Sequence, residues 1–84
     1  MSVVALIVLV MSVLTFPDVT LVALGEELSR VTRPDGEVLG YVERFSAQEG
    51  LRYRAKRYSP TQRRFMVMGE FWNRDDAVET FRAS

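Results

Sequence analysis

The stretch from Gly50 to Trp72 alternates cationic, aromatic and aliphatic residues, and this alternation constrains the fold most strongly. Successive side chains of a β-strand point to opposite faces, so the pattern predicts strands over residues 51–58 and 63–72. Residues 59–62 include Ser59 and Pro60 and are typical of a turn. We therefore expect a β-hairpin that has one strongly cationic side.

Two more strands are expected upstream of this hairpin. In the sequence Arg33-Pro34-Asp35-Gly36, Pro restricts φ at one corner of a turn and Gly supplies a positive φ at another. This turn predicts one strand near residues 28–32 and another near residues 37–45. Residues 46–50 are interpreted as a second loop, with Gly50 immediately before the next strand.

A short helix is predicted at the C-terminal end. Asn73 is a favoured N-cap residue, and Asp76 lies three residues later, in the position of a capping-box acid. The helix should cover residues 74–83. Its apolar residues Ala77, Val78 and Phe81 share one face, which predicts packing on the sheet.

These elements predict an α+β fold, with a small three- to four-stranded antiparallel sheet and a C-terminal helix packed on one face. We divide the chain into an apolar N-terminal segment, residues 1–24, and a body, residues 28–84. In the last strand, Phe65, Val67, Gly69 and Phe71 are expected to face the helix, and Met66, Met68 and Trp72 to lie on the opposite side.

The apolar N-terminal segment has three interpretations. Residues 3–16 carry no charge and half of them are β-branched, which fits a buried strand. A membrane anchor is the second, but a span would take Asp18 into the bilayer at a cost of about 2.5 kcal/mol or more. An unnatural start of the chain is the third. We expect a cytoplasmic protein or, with an anchor, a membrane-associated one whose body is cytoplasmic because of Arg30 and Arg33. Residues 18–30 fit either a helix capped by Asp18 or a short strand and a turn.

Composition excludes many chemistries. The sequence has no Cys, which excludes disulfides, zinc fingers, iron–sulfur ligation and thiol catalysis. It also has no His, the commonest general base and metal ligand. We therefore predict a non-catalytic protein with no catalytic residues, no cofactor and no metal site.

Charge is distributed unevenly along the chain. The formal net charge is zero, but residues 1–49 hold three cations against seven anions, and residues 50–84 hold eight cations against four anions. The asymmetry indicates an anionic partner for the second half, or simply a solvated face. Ten of the eleven cations are Arg, which suits bidentate contacts to phosphate and is also typical of GC-rich genomes.

The cationic side of the hairpin is the candidate site for nucleic acid. We assign nucleic-acid contact to five residues of the two predicted strands: Arg52, Arg54, Lys56, Arg63 and Arg64. A thin antiparallel sheet can enter the DNA major groove. Beside these cations, Met66, Met68 and Trp72 form an apolar stripe that requires a cover. The apolar N-terminal segment, a protein partner or a second copy of the chain could supply it.

The second half also resembles a known family. The residues that carry the likeness are Gly50-Leu51-Arg52-Tyr53-Arg54-Ala55-Lys56-Arg57-Tyr58, Pro60, Arg63-Arg64-Phe65, Phe71 and the helix from Asp75 to Phe81. They resemble the arm-type N-terminal DNA-binding domain of tyrosine recombinases (phage integrases). The resemblance implies a three-stranded antiparallel sheet backed by one helix, with DNA contact through Arg52, Arg54, Lys56, Arg63 and Arg64. It covers no recombinase catalytic domain, so it implies DNA binding without recombination.

Three functional hypotheses follow. The first is a DNA-binding accessory or regulatory protein that uses the basic sheet face. The second is a protein-interaction or assembly subunit of a larger complex. The third is a small membrane-anchored protein whose basic body contacts anionic lipid.

Overall fold

The structure is a computed structural model, which describes the backbone of residues 13–15 and all of residues 18–82. In this part of the chain, six strands form one antiparallel sheet in sequence order, and a helix follows. The elements are β1 (Val13–Thr15), β2 (Thr20–Ala23), β3 (Leu28–Thr32), β4 (Val38–Ala47), β5 (Gly50–Ser59), β6 (Arg64–Phe71) and α1 (Arg74–Arg82).

The predicted α+β fold with a three- to four-stranded sheet is wrong. The described chain is mainly a six-stranded antiparallel sheet with one short helix at its C-terminal end. The additional strands, β1 and β2, come from the apolar N-terminal segment, where Leu14 is paired with Leu21. Hydrophobic periodicity does not distinguish a fully buried strand from a buried helix, so the pattern did not define these strands.

The part of the N-terminal segment that is described belongs to the sheet. The helical alternative for residues 18–30 is wrong, because this stretch contains β2, a bend and β3. The remaining residues of that segment, 1–12 and 16–17, lie outside the described residues, so the interpretations of residues 1–16 as a core element, a membrane anchor or an unnatural start fall mostly outside them too. Within the described ranges, no helix has the length and apolar character needed to cross a membrane.

The turns lie where their residues predicted them. The amide of Gly36 donates to the Arg33 carbonyl at 2.9 Å, and Gly36 has a φ of 97°, so a β-turn joins β3 to β4. The β4–β5 loop is shorter than the predicted residues 46–50, because Ala47 is paired directly with Gly50 and only residues 48–49 lie between the two strands. The β5–β6 turn contains Arg63 with a φ of 54°, a left-handed conformation that is uncommon for a residue other than glycine.

The helix begins and packs as its sequence predicted. The Asp76 amide donates to the side-chain oxygen of Asn73 at 2.9 Å, which satisfies one of the unpaired amides at the start of α1. Ala77, Val78 and Phe81 are buried against the sheet. The rest of the core consists of Val19, just before β2, and of residues from the strands, which include Leu21, Val31, Leu39, Val42, Ala55 and the partly buried Phe71.

A bulge in β6 changes the expected orientation of its side chains. Ala55 is paired with Gly69, whereas the next residue, Lys56, is paired with Val67, so Met68 has no partner across the ladder. One extra residue reverses the alternation on one side of the bulge. Gly69 and Phe71 therefore lie on the helix side as predicted, but the prediction that Phe65 and Val67 lie there too is wrong.

Candidate interaction surface

The sheet face opposite α1, here called the outer face, follows from the strand register. Tyr41 is paired with Lys56, and Lys56 with Val67. These residues alternate with Val42 and Ala55, which belong to the core beneath α1. By the same alternation the outer face of β4, β5 and β6 also includes Glu43, Phe45, Arg52, Arg54, Tyr58, Phe65 and Glu70. Trp72, just after β6, joins this face through its contact with Arg52.

Ion pairs link three strands across the outer face. Glu43 of β4 accepts a hydrogen bond from Arg54 Nη1 at 3.2 Å and lies 3.4 Å from the Lys56 ammonium. Arg54 Nε also donates to Glu70 of β6 at 3.0 Å. These side chains are between one fifth and two fifths exposed, so solvent screens the attraction and each pair stabilises the fold only modestly. The larger consequence is that the Arg54 and Lys56 charges already have acidic neighbours.

Two outer-face cations also lie over aromatic rings. The Arg54 guanidinium is 4.0 Å from the Phe45 ring centroid, and the Arg52 guanidinium is 4.2 Å from the Trp72 ring. Arg52 Nε additionally donates to the Phe71 carbonyl at 3.3 Å. A cation held at this distance over a ring gains about 0.5–1 kcal/mol at a partly exposed site. These cations are thus oriented by neighbours within the chain.

An aromatic cluster occupies the other end of the outer face. The Phe65 ring lies edge-to-face with Tyr41 at a centroid distance of 5.4 Å and with Tyr58 at 5.3 Å. Edge-to-face pairs of this kind contribute about 0.5–1.5 kcal/mol beyond simple burial. Phe65 nevertheless stays 49% exposed. The cluster therefore presents an apolar surface next to the last strand of the sheet.

Strand β6 forms one edge of the described sheet and is rich in exposed apolar residues. It stands at the end of the strand order and is paired with β5 on one side. Four consecutive residues are exposed along it: Phe65 (49%), Met66 (43%), Val67 (57%) and Met68 (37%). Edge strands are usually protected by Lys, Pro, short length or a bulge. With eight residues and neither Lys nor Pro, β6 has only the last of these protections, its bulge at Met68, and residues 64–67 form a regular edge.

The predicted nucleic-acid residues do not all share one face. Arg52, Arg54 and Lys56 lie together on the outer face, as the alternation predicted. Arg63 lies in the β5–β6 turn. Arg64 is exposed and is paired with Ser59 in the ladder, so it lies on the sheet face opposite that of Phe65. Its Nε donates a hydrogen bond to the side-chain oxygen of Gln62 at 3.0 Å. Their role in nucleic-acid binding stays a prediction.

The predicted apolar stripe is divided by the bulge. Met66, Met68 and Trp72 are all exposed, but Met66 is paired with Arg57 and so lies on the opposite side from Trp72. Regular alternation along β6 did not predict the outer-face position of Phe65 and Val67. Gly69 carried the only local signal, since a glycine inside a strand often marks a bulge.

Comparison with known proteins gives no information about the function of this surface. No family model, curated protein or solved structure matches this chain. The resemblance to the arm-type domain of tyrosine recombinases therefore stays a prediction. Among the described residues, no group of three or more acidic side chains is placed to hold a metal ion.

Proposed function

We propose that this protein is a non-catalytic interaction or assembly subunit that binds another protein chain through β6 and the adjacent part of the outer face. The single observation that carries the proposal is the run of four exposed apolar residues, Phe65 to Met68, along a sheet edge. An exposed strand edge offers unpaired backbone donors and acceptors, which a partner strand can use.

The energetics favour a covered edge. Complete burial of a Val, Met or Phe side chain contributes about 1.5–3 kcal/mol, and the β6 side chains are roughly half exposed. A partner would therefore bury a substantial apolar area in addition to forming backbone hydrogen bonds. Exposed Tyr58 and Trp72 extend the apolar surface beyond the strand itself. Aromatic residues of this kind are enriched at the centres of protein interfaces.

Charge on the outer face supports a protein partner more than a phosphate backbone. Arg54 lies between two carboxylates, and Lys56 shares one of them. A phosphate would have to compete with those acidic neighbours, which weakens the electrostatic attraction that dominates DNA binding. For this reason we rank the assembly hypothesis above the DNA hypothesis.

Duplex DNA is the second candidate ligand, and Arg63 and Arg64 favour it. Both residues are exposed at the β5–β6 end of the sheet, with the Arg64 side chain bonded to an amide and not to a carboxylate. Arg52, stacked on Trp72, adds a third cation on the same hairpin. Such a set could contact the phosphates of the duplex backbone.

Site-specific photo-crosslinking in the cells of origin tests the proposal. Val67 is replaced by the photo-reactive residue benzoylphenylalanine, and Val38 serves as the matched control because it is also an exposed valine but lies on an interior strand. We expect ultraviolet light to produce protein crosslinks from position 67 and far fewer from position 38. Equal yields at both positions, or no protein crosslink from position 67, would contradict the proposal.

A further inference from the structure

We infer that the chain covering β6 is a second copy of this protein, with the two β6 strands paired antiparallel about a two-fold axis. The inference rests on the proposed function, and it specifies the partner. Twofold dimers are the commonest assemblies of soluble proteins, and their interface must be complementary to itself. Strand β6 meets this condition in two ways: its apolar residues can pack against the same residues of a second copy, and its two ends carry opposite charges.

The apolar residues match when Met66 lies opposite its own counterpart. Residues 64–67 are paired in regular register with β5, so their free edge is also regular. Placing Met66 on the axis puts Phe65 of each copy opposite Val67 of the other. Both residues belong to the outer face, so the pairing keeps like faces together, as cross-strand packing requires. The aromatic clusters of the two copies would then form one continuous apolar surface.

The charges at the two ends of β6 are opposite in sign. Arg63 and Arg64 lie at the start of the strand. Glu70, which also pairs with Arg54, lies near its end, and α1 begins just beyond it with Arg74 followed by the two acidic residues Asp75 and Asp76. Antiparallel pairing brings the basic end of one copy next to the acidic end of the other, whereas parallel pairing would bring like charges together. The formal net charge of zero also means that two copies have no overall repulsion to overcome.

Sedimentation-velocity analysis of the intact chain tests the inference. We expect the wild-type protein to sediment as a dimer at micromolar concentration. The Val67→Glu variant should raise the dimer dissociation constant by about tenfold or more, because each new carboxylate would lie opposite the apolar Phe65 of the other copy and diagonal to the second carboxylate. Within one copy the new carboxylate lies opposite Lys56, which favours the monomer fold. Val38→Glu, the matched control, should leave the dimer unchanged.

A second measurement keeps the test valid if Val67→Glu fails to fold. Amide hydrogen exchange of residues 64–67 in the wild-type protein should slow as the protein concentration rises, while exchange in the β3–β4 turn should not change. A monomer at all concentrations, or an equal effect of Val67→Glu and Val38→Glu, would overturn the inference.

The crosslinking experiment separates this inference from the proposed function when two differently tagged copies are expressed together. Crosslinks from position 67 that join the two tags support both. Crosslinks that join position 67 to a different protein support the proposed function and overturn the dimer. An absence of protein crosslinks from position 67 overturns both.

Discussion

The ring of Phe81 on α1 occupies the space that a side chain at Gly40 of β4 would need. A Cβ at Gly40 would collide with the Phe81 ring and with the Lys56 backbone carbonyl. The helix therefore approaches the sheet closely at this point, and Phe81 is 1% exposed as a result. Because one obstacle is backbone, the site has little freedom to relax.

Gly40→Ala should consequently destabilise the protein. We expect a loss of about 2–3 kcal/mol, since overpacking a filled core typically costs about 1–3 kcal/mol. Gly25→Ala is the control, because a Cβ at Gly25 meets no atom within 4 Å. Urea unfolding followed by circular dichroism measures both variants. Similar midpoints for the two would contradict the close helix–sheet contact.

The bulge in β6 predicts unequal roles for two phenylalanines. Phe65 packs in an exposed aromatic cluster, so Phe65→Ala should cost about 1 kcal/mol. Phe81→Ala removes a fully buried ring and should cost about 3–5 kcal/mol, a large part of the stability of a small domain. Thermal unfolding of the two variants distinguishes these values. If Phe65 lay beneath the helix, the two losses would be comparable.

The outer-face ion pairs predict coupling between Arg54 and Glu70. A double-mutant cycle with Arg54→Met and Glu70→Gln should give an interaction free energy of about 0.5 kcal/mol, which falls as salt is added. The exposed pair Arg33–Glu37 is the control, and its cycle should give less. A coupling energy that does not change with salt would argue against this electrostatic origin.

DNA binding, the second candidate, predicts which cations matter most. Binding of a fluorescent duplex should weaken more with Arg63→Ala plus Arg64→Ala than with Arg54→Ala, because Arg54 already has two carboxylate partners. If a cation neutralises one phosphate, its removal should reduce by about 0.9 the slope of the logarithm of the DNA association constant against the logarithm of the salt concentration. Fluorescence anisotropy over a range of salt concentrations measures this. Binding that does not respond to salt would exclude this mode of recognition.

Much of the local structure could be predicted from the sequence because it is encoded by local interactions. The turn at Pro34 and Gly36, the cap at Asn73 and the buried face of α1 each depend on a few neighbouring residues. These interactions act over three or four positions, and the residue types that make them are specific. The strand and helix positions in the second half were therefore confirmed to within two residues.

The strand number and the faces of β6 could not be predicted in the same way. The apolar N-terminal segment has no polar alternation, so its pattern does not separate a strand from a helix. The bulge at Met68 depends on pairing with β5, and a single extra residue was enough to move Phe65 and Val67 to the outer face. The shared face of Arg52, Arg54 and Lys56 was predicted correctly, because their strand alternates regularly up to that point.

The same bulge also bears on aggregation. It divides β6 into two segments whose side chains alternate out of phase, so an incoming strand without a matching bulge can follow only one of them. The regular segment, residues 64–67, is about 13 Å long at roughly 3.3 Å per residue. Fibril growth requires long, flat edges that repeat from copy to copy. An apolar edge interrupted in this way can accept a short complementary strand while resisting open-ended growth.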